Sequence, residues 1–290
     1  MKPTLFSFLL LFAIPVFAQK TDKQLQSKIE QAISGFQGEI GIYVKNLRTG
    51  KTVNIHADTI FPTASIVKVP IMTGIVYKMN KGELHYDSLF TYKDSLLYEG
   101  EDILGSFKSG EKIALKKLLM LMLTTSDNTA SLWLQTIAGG GANINRILDS
   151  LGFKDTRVNS RVPGREVFRA IYQWGQTTPK EMGQLFEMIY NRKLFSSDLC
   201  DRMMRMLAKN YWDENEAISQ IPPTIAVFSK NGCVNKTRNE AMIVNAPKNP
   251  YVFCIFTKNN KDISWTHENE AWTMARKVSK LLWGYFGTKP

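Results

Sequence analysis

Two groups of strand-like segments lie at opposite ends of this chain, separated by roughly 160 residues that read mostly as helix, far beyond the length of an ordinary connection. The first group is "GEIGIYVKNLRTGKTVNIHAD", in which apolar and polar residues alternate on either side of Arg48-Thr49-Gly50. That pattern predicts a β-hairpin around a glycine-containing turn. The second group follows Pro222-Pro223 and comprises "IAVFSKNG", "NEAMIVNAP" and "YVFCIFTKN". Between them apolar residues recur at steps of three and four, the helical period. A helix is expected from Ser65 to about Gly82, with Pro70 in its second turn, where a missing N–H costs less than in mid-helix. Further helices are expected in "LKKLLMLMLTT", "TASLWLQTIAGG", "INRILDSLGF", "PKEMGQLFEMIYNRKLF" and "SSDLCDRMMRMLAKN". "SRVPGREVFRAIYQWGQTTP" has weak periodicity and several breakers and is expected to be mostly loop. The last segment, "NEAWTMARKVSKLLWGYF", is a strongly amphipathic helix. The order predicts an α+β fold: one antiparallel sheet built from both chain ends, with a helical domain inserted. The boundaries expected are about 36–62 and 215–290 for the sheet lobe and about 63–214 for the helical lobe, and the cleft between them is where a site belongs.

The N-terminus is a separate object. "MKPTLFSFLLLFAIPVFAQK" carries Lys2, an apolar run from Leu5 to Phe17, and Val16-Phe17-Ala18, with small residues at the two positions that signal peptidase reads. The run is too short to span a bilayer comfortably, so residues 1–18 are expected to be a cleaved secretory signal. Residues 19–290 then form a secreted or periplasmic catalytic domain with no stable membrane insertion, expected to be monomeric. The net charge of +11 favours anions, but export and the dispersal of the lysines argue against nucleic acid as a partner. Cys200, Cys233 and Cys254 are odd in number, so at least one is unpaired, and none forms a C-x-x-C pattern. His56, His85 and His267 are far apart without metal-ligand spacing, so no metal and no cofactor are expected.

Three short signals fall at revealing places. Ser65-Ile66-Val67-Lys68 opens the first long helix, Ser126-Asp127-Asn128 lies in a break between two helices, and Lys230-Asn231-Gly232 lies on the first strand after the helical block. Alone, a serine here is an N-cap, an Asp-Asn pair a turn, and a lysine a solvated surface residue. Together they form a chemically coherent set. Residues i and i+3 share a helix face, so Ser65 and Lys68 can touch. A serine hydroxyl becomes a useful nucleophile when a base takes its proton. Lys68 can be that base if burial and a second cation, Lys230, disfavour its ammonium. A helix N-terminus beneath Ser65 favours developing negative charge. Asp127 is expected to bond its own loop.

The ordered set S-x-x-K, S-D-N and K-x-G resembles that of the penicillin-recognising serine hydrolases, and the chain is similar to a class A β-lactamase over nearly all its mature length. Asn231 stands where that pattern has threonine or serine. The resemblance implies a β-lactamase/transpeptidase-like fold and a β-lactam or peptidoglycan peptide as substrate. It implies Ser65 as nucleophile, Lys68 as base, and Ser126 as proton relay to the departing nitrogen. Asn128 would bind the substrate amide, and the backbone N–H groups of Ser65 and Cys233 would hold the oxyanion. Lys230, with Asn231, Gly232 and Arg238 beside it, would receive the substrate carboxylate. The family's water-activating glutamate would follow Arg161 by two positions, which is Pro163. Glu166, three positions later, is the carboxylate nearby, and a local loop shift would be needed to bring it into the cleft. With Glu166 as base the chain is a β-lactamase. Without it the expectation is a D,D-peptidase-like protein or a slowly deacylating penicillin-binding or sensor protein.

Overall fold

A computed structural model describes residues 20–287. The proposed signal, residues 1–18, lies outside the described residues. Helix α1 (Lys23–Ile33) opens the described chain, capped by the Asp22 carboxylate, which accepts from the Leu25 N–H. Strands β1 (Glu39–Asn46) and β2 (Thr52–Ile55) form the expected hairpin. A two-residue strand β3 (Phe61–Pro62) leads into a 3-10 turn over Ala64–Val67 and helix α2 (Lys68–Asn80). The helix expected from Ser65 therefore starts as a tighter turn, and Pro70 sits in the first turn of α2 proper, where its missing N–H has no intrahelical partner to lose.

The helical block continues with a small ribbon of β4 (Leu89–Thr91) and β5 (Lys112–Ala114), then α3 (Leu115–Thr124), α4 (Asn128–Ile137) and α5 (Gly140–Ser150). Strand β6 (Arg157–Val158), helix α6 (Glu166–Tyr172) and strand β7 (Gly175–Thr177) occupy the segment expected to be mostly loop. Periodicity misses them because the pairing partners are remote: β7 lies between β3 and β6. Gly175 allows this approach, since a Cβ there would meet Val67 Cγ2 at 2.6 Å and Thr63 Oγ1 at 2.8 Å. Helix α6 has no buried residue: its apolar residues Val167, Phe168 and Ile171 are exposed, and with seven residues between Gly164 and Gly175 it is too short for the period to stand out. Helices α7 (Pro179–Tyr190) and α8 (Ser197–Leu207) follow, then strands β8 (Val227–Val234), β9 (Thr237–Val244) and β10 (Tyr251–Lys258), and finally α9 (Glu270–Phe286).

The main sheet has the order β2-β1-β10-β9-β8 and is antiparallel throughout, so the two chain ends meet at the β1–β10 pair. The α+β fold with an inserted helical block is thus observed. Both faces of the sheet are covered. On one face Ile42, Val44, Phe253 and Ile255 pack with Leu25 and Ile29 of α1 and with Val278 and Leu282 of α9. On the other, Tyr43, Val252, Cys254 and Phe256 join the core formed by α2, α3, α4 and α7. Alternate residues along β1 and β10 feed these two cores, the period-two alternation of a strand buried on both sides. Gly183 of α7 lies over Tyr43, and a Cβ there would come within 2.5 Å of its ring. All three cysteines are free, Cys200 and Cys254 within the core.

Candidate active site

Each sequence signal sits on a different wall of one cavity of about 490 Å³, lined in part by Ser65, Ser126, Asn231, Gly232 and Cys233. The 3-10 turn before α2 places Ser65 one turn ahead of Lys68, whose Nζ donates to Ser65 Oγ at 3.0 Å. The same Nζ donates to Ser126 Oγ at 2.9 Å, to Asn128 Oδ1 at 3.0 Å and to the Ser126 carbonyl. Four acceptors around one nitrogen exceed the three protons of an ammonium. Lys68 is 0% exposed. Burial first, and Lys230 second, hold its pKa well below the ordinary lysine range.

Ser126 reaches Lys68 through an unusual backbone. Its φ of +62° puts it in the left-handed region, which a serine visits only when the surroundings fix it. Asp127 fixes it. One carboxylate oxygen caps α4 by accepting from the Ala130 N–H at 2.7 Å. The other accepts from Ile103 N at 2.7 Å and Leu104 N at 2.9 Å. Asn128 N donates to the Glu101 carbonyl at 2.8 Å. Asp127 therefore bonds the loop, as its residue type suggests, and brings Glu101 to the cavity wall.

Strand β8 forms the opposite wall. Gly232 permits its contact with the Ser65 turn: a Cβ would meet Thr63 O at 2.5 Å and Ser65 N at 2.8 Å. Lys230, 0% exposed, donates to its neighbour's carbonyl and to Asn231 Oδ1, each at 3.0 Å. Burial lowers its pKa to about 8, against the raising influence of Cys233, Glu216, Asp213 and Glu101.

Three expected contributors are engaged differently from the expectation. Asn231 turns its amide to the 210–216 segment rather than leaving it open: Nδ2 donates to Trp212 O at 2.9 Å and Glu216 Oε1 at 3.0 Å, while Oδ1 accepts from Asn210 at 3.0 Å and from Lys230. Its donors are already satisfied. Arg238 is buried, donating to the carbonyls of Asn235, Thr237 and Ser264 and stacked on Trp265 and Trp272 at 4.3 and 4.8 Å. Its guanidinium is bound to protein carbonyls and does not line the Ser65 cavity. Glu166 begins α6, exposed, accepting from the Gly164 N–H at 3.1 Å. It lines a separate surface cleft with Asn159, Arg161 and Arg169, so the loop shift needed to bring it to Ser65 has not occurred. Arg165 explains the placement, because Nε donates to Asn159 Oδ1 at 2.6 Å and its other end to Gln176 Oε1 at 2.9 Å, pinning the start of α6 to β7.

The sequence reading did not foresee the 211–216 segment. Tyr211 N donates to Thr124 O at 2.8 Å and Trp212 Nε1 to Thr125 O at 3.0 Å, so this strap is tied to the end of α3. It carries Asp213 and Glu216 to Lys230. Burial raises Glu216 to about 7 and Asp213 to about 6, while Lys230 opposes both shifts. Burial also pushes the Cys233 thiol well up, reinforced by Glu216, whose Oε1 lies 3.4 Å from Sγ. The available signal was "YWDENEA", an acidic and aromatic run in a chain of net charge +11.

The model of the "Beta-lactamase enzyme family" matches residues 24–286. Among curated relatives, β-lactamase VEB-1 of Pseudomonas aeruginosa is 23% identical over 301 residues, covering 99% of each chain. β-Lactamase ROB-1 of Haemophilus influenzae is 25% identical, covering 84% of this chain and 79% of its own. Among solved structures, PBP-A superposes with a TM-score of 0.81 at 22% identity, covering 92% of this chain and 97% of its own. A β-lactamase from Sphaerobacter thermophilus superposes at 0.79 and 21% identity, covering 92% and 98%.

Proposed function

We propose that this chain, which belongs to the beta-lactamase enzyme family, opens the β-lactam ring through an acyl-enzyme on Ser65. The observation that carries the reading is the buried Lys68 amine bonded at once to Ser65 and Ser126. In this reading the neutral amine accepts the Ser65 hydroxyl proton as Oγ bonds to the lactam carbonyl carbon. The negative oxygen forms opposite the backbone N–H groups of Ser65 and Cys233. The carbon–nitrogen bond then breaks, Ser126 gives its hydroxyl proton to the nitrogen, and Lys68 returns a proton to Ser126. Asn128 and Lys230 orient amide and carboxylate. Water then hydrolyses the ester. Residues 19–290 form the secreted, monomeric catalytic unit, with the site where the sheet lobe meets the helical lobe.

A second reading rests on Glu166, which lines another cleft. Without a carboxylate at the expected loop position the ester would persist, and the chain would behave as a penicillin-binding or D,D-peptidase-like protein acting on peptidoglycan peptides. A point mutant of PBP-A, a neighbour in fold, is known as an acyl-enzyme complex with penicillin G. Intact-protein mass spectrometry after mixing with benzylpenicillin separates the readings. An adduct on Ser65 that appears and vanishes within seconds supports the hydrolase. One that lasts for hours supports the second reading, and no adduct defeats both.

A further inference from the structure

We infer that the Ser65 cavity selects substrates carrying a cationic substituent, an ammonium or alkylammonium group; this rests on the β-lactam reading above. The chain has a net charge of +11, yet the exposed charged residues lining this cavity are Glu101 and Glu214, with buried Glu216 between strap and strand and, among the described residues, no lysine or arginine in the lining. Lys68 and Lys230 lie behind that wall at 0% exposure, and Arg238 is buried against Trp265 and Trp272 with its guanidinium on protein carbonyls. Lys68 is the neutral amine of the chemistry above, and Lys230 donates to its neighbour's carbonyl and to Asn231 Oδ1 rather than into the cavity. Glu101 and Glu214 are both exposed, one on the loop held by Asp127 and the other on the strap tied to α3. Tryptophans share this lining. Trp212 and Trp265 are 47% and 62% exposed and line the same cavity, surfaces that leave apolar area in water unless a ligand covers it. Ring faces beside carboxylates make the environment in which alkylammonium groups bind best. The protein already uses this chemistry internally, where the Arg238 guanidinium stacks on Trp265 and Trp272. A carboxylate substituent would meet like charge from Glu101 and Glu214.

Benzylpenicillin, ampicillin and carbenicillin differ at one side-chain carbon, which carries hydrogen, an ammonium or a carboxylate. The expected order of kcat/KM is ampicillin, benzylpenicillin, carbenicillin, with the first and last separated by about tenfold at low salt and converging as salt rises. In the Glu101→Gln/Glu214→Gln variant the ampicillin-to-carbenicillin ratio should fall toward one. Equal or reversed rates in the parent protein overturn the inference. If turnover is too slow to follow, the rates of Ser65 adduct formation provide the same ratio. If no penicillin acylates Ser65, the β-lactam reading fails, and tryptophan quenching decides the cation question separately. Saturable quenching by choline but not by its neutral isostere 3,3-dimethylbutan-1-ol upholds cation recognition, and equal or absent quenching overturns it.

Discussion

Lys68 is the residue whose protonation the proposed chemistry depends on. Because burial and Lys230 disfavour the ammonium, its neutral fraction grows at a pH below the ordinary lysine range. Acylation by benzylpenicillin should therefore rise with pH along an acid limb and level off before that range is reached. Lys68→Arg keeps the charge but cannot release a proton near neutrality, so it should lower the acylation rate by about 10²–10⁴-fold across the profile, read from adduct formation. Glu216 supplies a test of stability. Its pKa lies at about 7 in the folded protein against 4.5 ordinarily, so the native state holds its proton more tightly than the unfolded chain. The stabilisation of the neutral form is complete below pH 4.5 and is lost as pH rises through about 7. Tm should therefore fall between these values, and Glu216→Gln should flatten that fall, leaving the part due to Asp213 and Glu240, whose pKa values burial also raises. That Ser65, Lys68 and Ser126 come together was legible in the sequence, the first two from helical spacing and the third from the order of the motifs. The positions of Asn231, Arg238 and Glu166 were not legible. Remote partners decide them: the 210–216 strap, two tryptophans and the Arg165–Gln176 contact.

Among the elements, the approach of β8 to the turn before α2 is the tightest part of the site. Gly232→Ala would place a methyl 2.5 Å from Thr63 O, where main chain cannot yield as a flexible side chain would. The strand must move away, and with it the Cys233 N–H. We expect destabilisation of about 1–3 kcal/mol by thermal unfolding, together with a loss of acylation exceeding the loss of stability. Asp127→Ala acts on α4 instead. It removes a cap and leaves the Ile103 and Leu104 N–H groups without their acceptor, which should cost about 2–4 kcal/mol in denaturant unfolding. It also releases the loop bearing Glu101, so KM should rise. The helices expected from periodicity were found where an apolar stripe faces a core, as in α5, α7 and α9. Helix α6 escaped because it is seven residues long and its apolar residues face no core, and the two- and three-residue strands β3, β6 and β7 are too short for alternation to show.

Over the whole molecule, the order of strands, helices and strands was enough to predict a sheet closed from both ends, since a buried sheet needs partners for every inner strand. The sequence could not reveal that α7, within the helical block, lies against the sheet and joins the two halves into one core. The central pairing of β1 with β10, running from Glu39↔Lys258 to Asn46↔Tyr251, also determines when the chain can fold. A polypeptide emerging from the ribosome has β1 and β2 early, but the neighbour that completes β1 arrives only after nearly all the rest has been made. The sheet therefore stays incomplete, with the edge of β1 open, through most of synthesis. Such a chain is easily threaded through a translocation pore and easily lost to aggregation, and its yield in a cell should depend on chaperones more than its final stability suggests.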